Sequence, residues 1–184
     1  MGMETRQIAR ILKDLAKVAK VSKGRPHLEC MVATITGSSL VMHGTDGHRV
    51  HMFSVPLYYS DAEGEKPAGR LAIPLAALTR LTLLVEAAGP QILAEQLLAL
   101  LHANHDESIQ PPPIGPVVPE WSDEAEGTGN LQVDPKYLGA ACASAQIVGG
   151  NIRIQVGASP QEPMRIDVER GGASFLGVIM PTRG

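Results

Sequence analysis

Cysteine is scarce in this sequence: Cys30 and Cys142 are the only two, and they are too few and too far apart for a disulfide framework or a short-spaced redox or metal pair. Long apolar runs are missing as well. Arg80, Glu86 and Glu95 break the most apolar region, residues 71–101, so no window has the composition of a membrane-spanning helix. The first residues, Met1-Gly2-Met3-Glu4-Thr5-Arg6, lack the basic-then-apolar order of a secretion signal, and the reading is a cytoplasmic protein with no membrane partner. Also missing are a glycine-rich phosphate loop, a nucleophile elbow and a paired-carboxylate arrangement, which argues against an enzyme and for no catalytic residue and no cofactor. What remains is a chain of 184 residues, 44% apolar, 19% charged and 3% aromatic, with room for one compact domain or a few small repeated units.

The net charge of −3 hides an asymmetry. Residues 1–25 hold seven bases (Arg6, Arg10, Lys13, Lys17, Lys20, Lys23 and Arg25) against two acids, and the remaining residues hold nine bases against seventeen. Charge of one sign gathered at one end points to an anionic partner for that segment.

Residues 4–21 carry Ile8, Ile11, Leu12, Leu15 and Val18 at helical spacing, which predicts a helix with one core-facing stripe. The bases Arg6, Arg10, Lys13, Lys17 and Lys20 recur at steps of four and three and form a second, cationic stripe. Strands are predicted at 27–36, 39–43 and 49–56, with turns at Gly37-Ser38 and Thr45-Asp46-Gly47. A second pass reads strand 69–74, helix 75–88 and two or three strands within 91–109, although residues 93–101 have helix-forming composition. A third reads strand 130–133, helix 135–148 and strands 151–156, 164–169 and 174–180. The prolines of 110–119 suit an extended connector. Three such units of about 61 residues each predict an α+β fold, with repeated strand-helix-strands units and helices on one face of antiparallel sheets. The division is a two-unit domain over 1–125 (units 1–60 and 68–125, the connector running over 110–129) and a third, half-domain unit over 129–184.

Four short strings carry a resemblance to a known family. The turn Gly44-Thr45-Asp46-Gly47-His48-Arg49-Val50 resembles the (A/G)-T-D-G-H-R-L turn of the bacterial sliding clamp, the β subunit of the replicative DNA polymerase. The ending Val178-Ile179-Met180-Pro181-Thr182-Arg183-Gly184 is similar to that family's V-V-M-P-M-R-L. Val133-Asp134-Pro135-Lys136-Tyr137-Leu138 is similar to the F-N-x-x-Y-L that opens the family's last helix. Leu71-Ala72-Ile73-Pro74 with its following helix is similar to the strand and helix after the family's turn. The departures are Asp134 in place of Asn, Thr182 and Gly184 in place of Met and Leu, and a length about half that of the family's three-domain subunit.

The resemblance implies a DNA-clamp-like fold and two sites. Helices of such clamps line a hole that holds double-stranded DNA without reading sequence, so the DNA-facing candidates are Arg6, Arg10, Lys13, Lys17, Lys20, Lys23, Arg25, Arg80 and Lys136. A hydrophobic groove that accepts short peptides of a DNA polymerase or other clamp-binding proteins would comprise Thr45, Gly47, His48, Arg49, Val50, Pro74, Leu78, Asp134, Tyr137, Val178, Ile179, Met180, Pro181, Thr182 and Arg183. Met180 is an adaptable wall, and Arg49 and Arg183 can hold acidic or carbonyl groups.

No metal is expected. His43, His48 and His51 flank a turn with only Asp46 beside them, and His102, His105 and Asp106 precede the connector as exposed polar groups. Twelve units close a clamp ring, so three per chain imply a homo-oligomer of four chains, paired through the unpartnered third unit. The function implied is a DNA-encircling processivity factor that tethers a polymerase. The alternative is a clamp-fold adaptor or competitor that binds replisome peptides without encircling DNA.

Overall fold

The computed structural model describes residues 3–20, 25–59, 68–111, 113–114, 118, 131–157 and 159–182. Lys23, Arg183, the predicted strand's start at Asn130 and most of the connector lie outside the described residues, as does the acidic stretch around Trp121.

A two-residue strand β1 (Met3–Glu4) leads into helix α1 (Thr5–Ala19), whose Ile8, Ile11, Leu12, Leu15 and Val18 are all buried. Burying each such side chain contributes about 1.5–3 kcal/mol, so this stripe alone fixes which face of α1 meets the sheet. The first turn of α1 has no side-chain cap; instead the Thr5 amide donates to Pro90 O at 3.2 Å and its hydroxyl to Gly89 O at 2.5 Å. A short 3-10 turn (Pro26–Leu28) precedes a meander of β2 (Cys30–Thr36), β3 (Ser39–Thr45) and β4 (Arg49–Pro56). Then come β5 (Ala68–Pro74), α2 (Leu75–Ala87), a two-residue β6 (Gln91–Ile92) that pairs with β1, and α3 (Ala94–His102). The last unit is α4 (Pro135–Val148), β7 (Arg153–Val156), β8 (Met164–Arg170) and β9 (Ala173–Ile179).

The second unit corrects the strand expectation for residues 91–109. Only Gln91–Ile92 is strand, and Ala94–His102 is helix, burying Ala94, Leu97, Leu98 and Leu101 on one face. Local propensity prevails here: Ala, Leu, Glu and Gln lose little side-chain freedom in a helix, and Gln96 secures the start by accepting the Leu93 amide at 3.1 Å. Residues 131–133 are likewise irregular, not strand.

Seven strands form one antiparallel sheet in the order β5-β2-β3-β4-β9-β8-β7. The first and last units meet at its middle, where β4 pairs with β9 from Arg49↔Ile179 to Ser54↔Ser174. Side chains alternate across a strand, so the register sorts every residue to a face. Met31, Ala33, Leu40, Met42, Phe53, Phe175 and Ile166 point to the helices and form the core, with the Phe53 and Phe175 rings 4.9 Å apart between centroids. Cys30, Val32, His43, Thr45, Val50 and Val178 point the other way.

One polar knot lies within the core. His51 of β4 sets Nδ1 2.8 Å from Asp14 Oδ2 of α1, and Ser144 of α4 donates to Asp14 Oδ1 at 2.7 Å. A carboxylate only accepts, so His51 carries a proton on Nδ1. Ser144 Oγ also lies 3.2 Å from that same nitrogen, while Nε2 is buried without a partner among the described residues and the ring meets Phe175 edge-on. A serine-histidine relay needs serine and carboxylate on opposite ring nitrogens, so this trio is a strut between three elements and not a nucleophile.

His43 is buried on the outward face, and burial first, then the Arg70 charge, pushes its pKa down to about 4. The unfolded chain titrates near about 6.5 and so binds more protons below that pH; the stability is whole above it and drains away as pH falls toward 4. Thermal melts at pH 7 and pH 5 check this: wild type loses more stability over that interval than His43→Gln, and equal losses would show that His43 is not held uncharged.

Candidate functional site

The turn between β3 and β4 is held by its own side chains. Thr45 Oγ1 donates to Arg49 O at 2.7 Å and accepts the Gly47 amide at 3.1 Å. Asp46 Oδ1 accepts the amides of His48 and Arg49 at 2.9 and 3.1 Å, and its Oδ2 takes Arg49 Nε at 3.1 Å. Both partners of this ion pair are buried, at 3% and 6% exposure. Removing either partner alone would leave an unpaired charge inside, a cost of about 3–5 kcal/mol. Gly47 sits at φ +88°, a conformation that glycine adopts without strain, so it serves the turn; the Arg25 Nη1 that a Cβ there would meet at 2.7 Å is the mobile end of an exposed side chain.

The end of the chain comes to this turn by extending the β4–β9 ladder. The Met180 amide donates to His48 O at 2.9 Å, and Thr182 then ties to Gln132 O through its amide at 2.9 Å and its hydroxyl at 3.1 Å. Helix α4 starts alongside, with Pro135 in its first turn and Asp134 as cap, accepting the Lys136 amide at 2.8 Å. Tyr137 projects from that first turn. Its ring is stacked with His48 at 6.2 Å, the Arg49 guanidinium lies 5.0 Å from its centroid and Lys136 Nζ 6.0 Å. Burial, the nearby Asp46, and less strongly Asp134, raise the Tyr137 phenol above its ordinary pKa, with Arg49 opposing.

The turn and the tail, with Leu28 and part of the connector, enclose an apolar pocket of about 130 Å³. Of the residues named from the sequence, Thr45, Gly47, Arg49, Val50, Val178 and Met180 line it. His48, Asp134, Tyr137, Pro181 and Thr182 are not among its lining residues, although the Tyr137 ring meets Arg49, which is. Ile179 points instead into the core. Pro74 and Leu78 are not among the pocket's lining residues: Pro74 pairs with Cys30 in the β2–β5 ladder, and Leu78 is fully buried in the core under α2. Sequence reasoning missed three lining residues, Leu28, Pro113 and Ile114. The sequence pattern places Leu28 in a strand and leaves the connector unpaired, whereas Pro111 and Ile114 pack beside Cys30, Val32 and His43 next to the pocket.

On the helix side, Arg6, Arg10, Lys13, Lys17 and Lys20 are all exposed along α1, turned away from the buried stripe. Lys13 pairs with Glu86 of α2 at 2.6 Å. Arg80 is exposed on α2, which also shows Leu83 at 62% and Leu84 at 37% exposure. Arg25 and Lys136 sit elsewhere, against the turn and the Tyr137 ring. His43 and His51 point to opposite faces of the sheet, and His105 turns Nδ1 to His102 O at 2.6 Å. Among the described residues no group of three His, Cys, Asp or Glu could hold a metal, and no helix is long and apolar enough to cross a membrane.

No family model matches the sequence, and no curated protein matches it. Solved structures do match. The Bacillus subtilis DNA polymerase sliding clamp aligns over 100% of this chain and 64% of its own, with a TM-score of 0.64 and 14% identity. The Caulobacter crescentus beta sliding clamp aligns over 100% and 65%, at 0.68 and 12%. The Pseudomonas aeruginosa sliding clamp (DNA polymerase III subunit beta), bound to griselimycin, aligns over 100% and 65%, at 0.64 and 13%. The chain thus spans less than two thirds of these structures, and the fold it adopts is that of the bacterial sliding clamps.

Proposed function

We propose that the chain is a shortened sliding-clamp-like protein that surrounds double-stranded DNA as a homo-oligomer and tethers a DNA polymerase or another clamp-binding protein through its groove. One observation carries the reading: a cationic stripe and an apolar pocket of about 130 Å³ lie on opposite faces of a single sheet-and-helix layer. Long exposed Arg and Lys side chains attract phosphates without reading bases, and the attraction is strong only within a screening length of about 8 Å. The opposite face then stays free for a protein partner. The likeness to clamp structures supports this assignment of faces, as does the return of the turn and the tail to one pocket. On this reading the protein is not an enzyme and works in the cytoplasm, where DNA is replicated.

The regions 1–125 and 129–184 share one sheet through the β4–β9 pairing, so on this reading the chain enters the assembly as a single block. Its edge for a further copy is β7, the outermost strand, with Ile154 50% exposed. At the other end the Asp106 amide already donates to Ala72 O of β5 at 2.9 Å. The count of four chains assumed three strand-bearing units; α3 takes the place of the second unit's strands, so the proposal is a homo-oligomer without that count. The second reading, an adaptor that binds replisome peptides without surrounding DNA, draws on one observation: Leu83 and Leu84 expose apolar surface on α2 beside the stripe.

Two experiments test these sites. Retention on nicked circular DNA, lost on linearisation and lowered about tenfold when Arg6, Arg10 and Lys17 become Glu, is the outcome for a clamp; retention indifferent to linearisation identifies the adaptor. For the groove, an acetylated and amidated peptide with adjacent Leu and Phe binds wild type and weakens about tenfold or more with Met180→Glu or on removal of the last five residues. Unchanged affinity in both variants would remove the pocket from the account.

A further inference from the structure

The outward side of the sheet carries more apolar surface than the pocket leaves open. Pro113 and Ile114 form part of the wall of the cavity of about 130 Å³, beside Leu28, Val50, Val178 and Met180. One step along the same face, a gap of only about 10 Å³ remains where Pro111 and the same Ile114 meet Cys30, Val32 and His43. Cys30 and Val32 point away from the helices and are nevertheless buried. The connector is pinned just before this stretch: the Asp106 amide donates to Ala72 O of β5 at 2.9 Å, Asp106 Oδ1 accepts the Ser108 amide at 2.9 Å, and the Ile109 amide reaches back to Asp106 O at 3.3 Å. Pro111 and Pro113 have no amide proton to donate, and what they and Ile114 bring to the sheet is apolar packing.

Size decides what this packing does. A dry cavity of about 150 Å³ takes one benzene-sized group, whereas ligand pockets generally begin at about 300 Å³. At about 130 Å³ the pocket has room for a single side chain, fewer than the adjacent Leu and Phe anchors of a peptide. We propose that Pro113 and Ile114 are an intramolecular occupant of the groove, a tethered strap that a partner's apolar anchors must displace, so that the connector holds the protein in a low-affinity state. The inference rests on the peptide-groove reading and adds its regulation. Ile114, Leu28 and Thr45 border both cavities, so the departure of Ile114 joins them into one apolar trough across β2, β3 and β4. A tether rooted at Asp106 keeps the strap at an effective concentration on the order of 1 mM, so it returns when the partner leaves.

A fixed wall and a displaceable strap respond in opposite directions to the same change. An acetylated, amidated Leu-Phe peptide is titrated by fluorescence anisotropy into wild type and into the double variant Pro113→Gly, Ile114→Ser. The variant is expected to bind about fivefold or more tightly than wild type. Equal or weaker binding by a folded variant would overturn the inference and make these residues a wall. A second measurement does not depend on that variant's folding: Ile114→Cys, combined with Cys30→Ala and Cys142→Ala, is labelled by a thiol reagent with and without saturating peptide. Faster labelling with peptide is expected of a strap pushed into solvent, and slower or unchanged labelling would overturn the inference. Those contrary outcomes leave the groove standing. Failure of both wild type and the double variant to bind the peptide overturns the groove reading, and this inference with it.

Discussion

Antiparallel pairing of β4 with β9 joins residues 49–54 to residues 174–179 in the middle of the sheet, and the features of interest on this protein lie around or depend on that seam. Closing so long a loop carries an entropic cost that local contacts cannot offset. The seam supplies the compensation on its inward side, where Phe53 meets Phe175 and His51 binds Asp14 and lies against Ser144. Its last rung is the Met180 amide on His48 O. That bond carries the tail past the turn, brings Thr182 to the residues before α4 and leaves the apolar notch between them.

The strand alternation across the same seam separates two kinds of surface. Inward positions accept the helices, so α1 must bury Ile8, Ile11, Leu12, Leu15 and Val18 and must show its bases on the far side. Outward positions would ordinarily be polar, yet Cys30, Val32, Val50 and Val178 are buried there. Pro111, Pro113 and Ile114 cover them, which is why the pocket is walled partly by the connector and is not a bare patch of sheet. Around the turn the buried pair of Asp46 and Arg49 puts a charged donor at an apolar site at the expense of a counter-charge in permanent attendance.

Much of the fold is legible in the sequence where the signal is local. The bounds of β4 and α4 follow from their flanking turn and capping residues, Asp46-Gly47 before one, Asp134-Pro135 before the other, and α1 from its 3.6-residue stripe. The error at α3 arises from expecting the second unit to repeat the first unit's strands against the helix-forming composition of Ala94–His102. The β4–β9 partnership leaves no local trace, because strand pairing across about 125 positions is decided by which apolar faces meet. Among site residues, those on the turn and tail could be named from short strings. Pro74 and Leu78 were drawn from analogy and lie in the ladder and the core, whereas Leu28, Pro113 and Ile114 reach the pocket only through tertiary packing. Asp46 carried a turn signal strong enough to conceal its second oxygen.

If the seam is the constraint that makes one structure of the two ends of the chain, the two ends must unfold together. Native-state hydrogen exchange at rising denaturant measures this directly, comparing amides in residues 173–179 and 135–148 with those of β3. The account predicts the same opening free energy and the same denaturant slope for all three. Early exchange of β9 and α4 with a shallow slope, while β3 stays protected, would contradict it.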